Sequence, residues 1–301
     1  MIRRLVFCLT ALLLATSPAA AQNCENVKTG FDAERKPQNT AREIVGQSLD
    51  EIIDRGFILF AVYEDFAPYS WREDGVLRGV DIEIGELIAQ DLGVEARFYE
   101  TAAAENVDAD LRFNVGKGRL IGGQISNVML HVPYNRELAC RNEMVVLTGQ
   151  YFNEELAIAF RKEAYEDGGP TPPYFRFDTV GVENDSLSDF YLTSFMNGAL
   201  VANMTRYGTT DAAMAGLQAG EVVAVMGARA QLQHGLTEDL DIHQPPFSGL
   251  SLGKWTLGVA VRHSWRPLGY AVDDAIRAAV DDGRIAAIFA SYGLSYSKPD
   301  W

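Results

Sequence analysis

The sequence predicts an α/β protein built as two lobes. Three observations carry this. The 301-residue length corresponds to about two domains at roughly 150 residues each. Strand-like and helix-like segments alternate along the chain, the pattern of parallel sheets covered on both faces. The alternation comes in two sets, separated by the looser stretch Lys162–Pro173. Hydrophobic residues at 48% and charged residues at 22% fit a packed globular chain and exclude a disordered or collagen-like one.

In the first set, Phe57–Val62 is a short apolar run of β-formers between Gly56 and Glu64-Asp65. Asp81–Leu92 places Ile82, Ile84, Leu87, Ile88 and Leu92 near helical spacing, and Gly93 stops it. Val94–Tyr99 alternates as a strand, Val107–Val115 reads as a helix, and Asn127–Leu130 as a further strand. Glu154–Phe160 reads as a strand crossing between the lobes. In the second set, Asp178–Glu183 is a strand and Leu187–Leu200 a helix. Asn203–Tyr207 is extended, Thr210–Gln218 helical before Gly220, and Glu221–Met226 a buried strand. Ala228–His234 is helical, Trp255–Val261 a strand, and Leu268–Phe289 supplies the last helices. The expected division is 46–155 plus 250–301 for lobe 1 and 160–245 for lobe 2. No sequence repeat of fixed period is present, which excludes a solenoid.

Residues 1–21 read as a secretory signal: Arg3 and Arg4, an apolar Leu5–Leu14, and the small residues Ala19–Ala21. The apolar stretch is shorter than the ~20 residues a membrane-spanning helix needs. Residues 22–45 form a polar extension. The expected location is the periplasm, where the remaining cysteines, Cys24 and Cys140, have the option of a disulfide or of standing as two separate thiols. Two isolated cysteines and four scattered histidines supply no metal framework, so no metal is expected. The formal charge of −15 argues against a nucleic-acid partner, which needs a basic face.

No dinucleotide fingerprint, P-loop or nucleophile elbow occurs, so neither a cofactor nor enzymatic activity is expected. The informative feature is the turn after the first strand, where Phe66, Tyr69 and Trp71 fall within six residues. Ligands of open α/β sheets bind beyond the carboxyl ends of the strands, where aromatic faces can stack on them. The alternative use of the three rings is to plug the lobe core. A second candidate is the helix start at Asp185-Ser186, either an anion site or a plain cap; the acids around it weaken the anion reading.

The Phe66-Ala-Pro-Tyr-Ser-Trp71 turn, Leu77–Glu83 running into a helix that ends at Leu92-Gly93, and the second-half segments Val180–Val182, Ala212–Met226 and Leu257–Arg262 together resemble the periplasmic solute-binding proteins of family 3, the amino-acid-binding type. The resemblance spans roughly residues 48–295. It implies a two-lobed periplasmic-binding-protein-like (type 2) fold with a hinge and a central cleft. It also implies an arginine for an α-carboxylate, for which Arg136 and Arg141 are the candidates, and an acid for the ammonium, where this chain has Ala228 beside Arg229. An unpartnered ammonium in a closed cleft costs several kcal/mol, which speaks against a zwitterionic amino acid. Val128–Pro133, Asp108–Arg112 and Met226–Arg229 are similar to the J-type accessory proteins of PQQ-dependent methanol dehydrogenases. That similarity implies a non-enzymatic partner of a quinoprotein dehydrogenase or its cytochrome. The alternative is an ABC-transporter substrate-binding protein for an amino acid or other small organic solute.

Overall fold

The computed structural model describes residues 43–44, 48–119, 124–165, 168–247 and 253–300. The expected signal segment, most of the polar extension and Cys24 lie outside the described residues.

The chain opens with β1 (Glu43–Ile44) and α1 (Leu49–Arg55). Ser48 and Glu51 cap α1 reciprocally, and Gly56 in the left-handed region closes it. There follow β2 (Phe57–Tyr63), the hairpin β3 (Trp71–Glu73) and β4 (Val76–Arg78), α2 (Val80–Leu92) and β5 (Glu95–Thr101). Next come α3 (Val107–Leu111), β6 (Gln124–Ile125), β7 (Val128–Pro133), α4 (Arg136–Arg141) and the 17-residue β8 (Val145–Arg161). The second set holds β9 (Val180–Glu183), α5 (Leu187–Ser194), β10 (Met204–Tyr207), α6 (Thr210–Ala219), β11 (Ala224–Ala228), α7 (Arg229–His234) and β12 (Leu240–His243). The return is β13 (Lys254–Arg262), followed by α8 (Arg266–Asp281) and α9 (Arg284–Ser291).

The main sheet runs β10-β9-β11-β8-β13-β7-β2-β5, with β12 also paired to β8. Its outer pairs are parallel, as expected: β2 with β5 and β7, β9 with β10 and β11. Its centre is not. β8 and β13 pair antiparallel with each other and with their outer neighbours. The reason is connectivity, because the chain leaves the first lobe along β8 and returns along β13. The first part of β8 pairs with β13 and the rest, from Leu156, with β11. At ~3.3 Å per residue, β8 is ~56 Å long, enough to serve both lobes. Apolar cores lie at each end, around Phe60, Ile84, Phe152 and Phe289 in one lobe and around Ile158, Val180, Leu192 and Met226 in the other.

Three expected elements change. The helix from Leu187 stops at Ser194, because Met196 and Asn197 adopt left-handed backbone (φ 49° and 59°) ahead of Gly198. The helix from Val107 is α-helical only to Leu111 and widens into a π turn over Arg112–Gly116. The strand expected from Glu221 begins at Ala224, because the Glu221 amide still donates to Gly216 O at the end of α6. Among the described residues no helix is long and apolar enough to cross a membrane.

Candidate functional site

The turn after β2 is held by its own backbone. The Phe66 amide donates to Ser70 O at 2.7 Å and the Ser70 amide to Phe66 O at 2.8 Å. The first amides of α2 then close on the same turn, Val80 N on Pro68 O at 3.0 Å and Asp81 N on Tyr69 O at 2.9 Å. Helix starts leave such donors without intrahelical partners, and here the aromatic turn supplies the carbonyls. Gly79 makes the approach feasible: its φ is +131°, and a Cβ there would lie 2.1 Å from Tyr69 O.

This junction places Asp81, with no exposed surface, beneath the crevice. Tyr151 donates its hydroxyl to Asp81 Oδ1 at 3.0 Å, and His131 Nδ1 stands 3.4 Å from Asp81 Oδ2. Two bulges aim these groups. Leu130 and His131 together face Val259, and Gly149, Gln150 and Tyr151 together face Gly258. Bulges turn a side chain out of the normal alternation. His131 sits at φ 58°, a left-handed backbone that costs a non-glycine residue about 1–3 kcal/mol.

Tyr69 packs its ring 4.1 Å from that of His131, and Phe66 lies 4.8 Å from His131. The Tyr69 hydroxyl donates to Glu154 Oε2 at 2.6 Å. Glu154 is buried in β8, and its Oε1 accepts from Glu155 N at 2.9 Å and, at the limit of bonding distance, from Ala230 N of α7. Glu154 therefore ties the first lobe's aromatic turn to the second lobe's α7. Burial pushes its carboxyl above the ordinary range, opposed by the Tyr69 hydroxyl and the two amides. Burial first, and then the neighbouring carboxylates, hold both Tyr69 and Tyr151 protonated far above their ordinary range. More contacts cross the crevice. Trp71 meets His234 at 5.2 Å between ring centres, and Gln233 exchanges hydrogen bonds with Ser295 at 2.8 and 3.1 Å. Arg229 pairs with Glu155 at 3.2 Å, and Lys254 also reaches Glu155 at 2.8 Å.

Phe66, Tyr69, Trp71 and Arg229 thus meet at the junction of the two lobes, with Tyr69 deeper than an open cleft wall. Arg136 is exposed at the start of α4. Arg141 is held by Asp108 at 3.2 Å and Glu137 at 2.9 Å, so it belongs to the α3–α4 contact. Ser186 caps α5 by accepting from Asp189 N at 3.2 Å, and the Asp185 amide donates to Asp189 Oδ2. Asp189 in turn pairs with Arg206 at 2.8 Å, so that helix start is occupied by the chain's own carboxylate. β11 ends on Ala228, where the resemblance expects an acid. Cys140 is disulfide-bonded, and its partner lies outside the described residues, as Cys24 does. No group of three or more potential metal-binding side chains occurs among the described residues.

Sequence reading passed over Asp81, His131, Tyr151 and Glu154. Two carried a signal. Asp81 falls in phase with Ile84 and Ile88 on the apolar stripe of α2, and Glu154 alternates in phase with Phe152 and Leu156. A lone acid on an apolar face is a buried acid in need of a partner. The bulges that bring in His131 and Tyr151 have no such mark. Replacing Tyr151 by Phe removes the donor to the buried Asp81 Oδ1, and leaving a buried acceptor without its partner costs about 1–3 kcal/mol. Urea unfolding of Tyr151→Phe is expected to show a loss of that size.

No protein-family profile and no curated protein sequence matches the chain. Solved structures do match. An ancestral cationic amino acid solute binding protein superposes with a TM-score of 0.66 at 18% identity, covering 81% of this chain and 98% of its own. An amino acid ABC transporter substrate-binding protein from Streptococcus pneumoniae, bound to L-arginine, gives 0.60 at 17% identity over 84% of this chain and 100% of its own. The solute receptor for L-cysteine of Neisseria gonorrhoeae gives 0.57 at 19%, covering 81% and 93%. With its crossing strands and its junction of aromatic and acidic side chains, the chain has the two-lobed α/β fold of the amino-acid-binding solute receptors.

Proposed function

We propose that the protein is a secreted solute receptor serving an ABC permease, with a small organic solute held between the lobes. The observation that carries this reading is the junction itself. Phe66, Trp71 and His131 from one lobe and Arg229 and His234 from the other converge where solute receptors of this fold close, above the buried Asp81 and Glu154. The two grips that the resemblance implies for a zwitterionic amino acid are not both in place. Ala228 offers no carboxylate to an ammonium, and Arg141 is engaged by Asp108 and Glu137. Aromatic faces over buried acids suit an organic cation. The test is a thermal-shift and calorimetric screen with choline, putrescine and agmatine beside free amino acids. A ligand at 100 times its Kd is expected to stabilise the fold by about 2.7 kcal/mol. A screen in which no compound raises the melting temperature removes the reading.

One observation favours a second reading, a non-enzymatic partner of a quinoprotein dehydrogenase or its cytochrome. The crevice is filled by the protein's own side chains: Tyr69, Phe66 and His131 stack on one another, and Gln233 and Ser295 clasp the lobes. The charge of −15 would steer association with a basic protein. Titration into a PQQ-dependent dehydrogenase with its cytochrome is expected to change turnover. Absence of both association and any rate change would dispose of this reading.

A further inference from the structure

A cavity lies on the first lobe, away from the junction of the lobes. β13 passes the crevice near Leu257, which pairs with Phe152, and ends five residues later at Arg262, ~16 Å further along the strand. There the ends of β8 and β13 and the start of α8 enclose a slot of about 220 Å³. Val146, Val261, Trp265 and Tyr270 form its walls, with Thr148, Gly269, Arg262 and Arg266 in the rest of the lining. Val261 is buried, whereas Arg266 and Tyr270 are exposed, so the slot has an apolar bottom and a cationic edge.

Gly269 is the unusual residue. It sits inside α8 and is buried, yet its backbone is not in the left-handed region that calls for glycine. A Cβ there would meet nothing within 4 Å. Glycine inside a helix is less stable than alanine, and neither conformation nor crowding requires it at this position. What it does is leave the slot open.

The slot's chemistry is one-sided. No acidic side chain lines it. Asp273, further along α8, is taken by Thr148 Oγ1 and Gly149 N, each at 2.8 Å, and by Arg277 at 3.2 Å. Arg266 donates to His263 Nε2 at 3.1 Å, a ring nitrogen rather than a carboxylate. In a chain of charge −15, a basic edge around an apolar slot selects anions with an apolar body. The volume is below the ~300–1,000 Å³ of pockets for drug-sized ligands, which limits the occupant to one ring or a short branched chain.

We infer that this slot is a second ligand site, for a small aromatic or branched monocarboxylate whose apolar body enters over Gly269 and whose carboxylate meets Arg266. The experiment is calorimetric titration of the full-length protein with benzoate and 3-phenylpropionate, and with benzyl alcohol as the uncharged counterpart. The acids are expected to bind at least ~10-fold more tightly than the alcohol, the share carried by a charge-assisted bidentate contact. Arg266→Gln is expected to bring the acids down to the level of the alcohol. Gly269→Leu is expected to abolish binding. Gly269→Ala, which keeps or raises the melting temperature, is expected to weaken it and guards against misfolding of the larger variant. Acids that fail to bind the wild-type protein overturn the inference. So does unchanged affinity in both Gly269 variants, which would place the acids elsewhere, the crevice included. Neither result bears on whether the crevice receives an organic cation.

Discussion

Gly79→Ala is expected to cause the largest loss of stability of any single methyl added near the crevice. The new Cβ would stand 2.1 Å from Tyr69 O, 2.4 Å from Tyr69 C and 2.9 Å from Ser70 N, at a φ of +131°. All three obstacles are backbone atoms, so no side chain can swing aside. Nor is the backbone free to retreat, because Val80 N and Asp81 N are bonded to Pro68 O and Tyr69 O. Backbone strain of about 1–3 kcal/mol and overpacking of about 1–3 kcal/mol combine to an expected loss of about 2–6 kcal/mol. Because the same contact sets the spacing of Asp81 and Tyr69, near-ultraviolet circular dichroism from the tyrosine cluster should change as well. Gly75→Ala is the control. Its φ is +80° but its Cβ would meet nothing within 4 Å, so only the left-handed penalty of about 1–2 kcal/mol applies. Equal urea midpoints for the two variants would refute the role assigned to Gly79.

Glu154→Gln is expected to change how stability depends on pH. Burial raises the carboxyl's pKa in the folded protein above the ordinary value of 4.5. Below that ordinary value Glu154 is protonated in both states and costs the fold nothing through ionisation. As pH rises past it, the unfolded chain releases the proton first. Stability is then lost progressively until the raised folded value has been passed, at about 1.4 kcal/mol per unit of elevation. Glutamine keeps an acceptor for the Glu155 and Ala230 amides and has no charge to desolvate. The difference in unfolding free energy between variant and wild type should therefore move in favour of glutamine from pH 4 to pH 8. Asp110, whose carboxyl is also raised by burial, is present in both proteins and cancels. A difference that stays flat over this range would show that Glu154 ionises as it does in the unfolded chain. Because Glu154 joins Tyr69 to α7, the same substitution should alter the affinity of any ligand that requires the lobes to close.

Most secondary elements were readable because their causes are local. Ile82, Ile84 and Ile88 recur at helical spacing in α2, and Gly56, Gly93 and Gly220 end helices by adopting the left-handed backbone. The aromatic turn was readable too, as three large rings where a strand meets its loop. β8 was read only in part, as Glu154–Phe160, because its first half alternates between buried and half-buried positions while its second half is continuously buried. Nothing local says that both halves belong to one strand.

What the sequence determined by itself is the α/β alternation, the two-lobed plan and the cluster of Phe66, Tyr69 and Trp71 beside the first strand, since each rests on spacing within a few residues. Only the tertiary structure decided that Asp81, His131, Tyr151 and Glu154 form one buried cluster, that Arg141 is spent on Asp108, and that Gly269 keeps a cavity open. Those outcomes depend on strand register, on two bulges and on the approach of segments far apart in sequence, 33 residues for Asp108 and Arg141 and 70 for Asp81 and Tyr151. A one-residue shift in pairing reverses which face a side chain joins, and no local pattern records that shift.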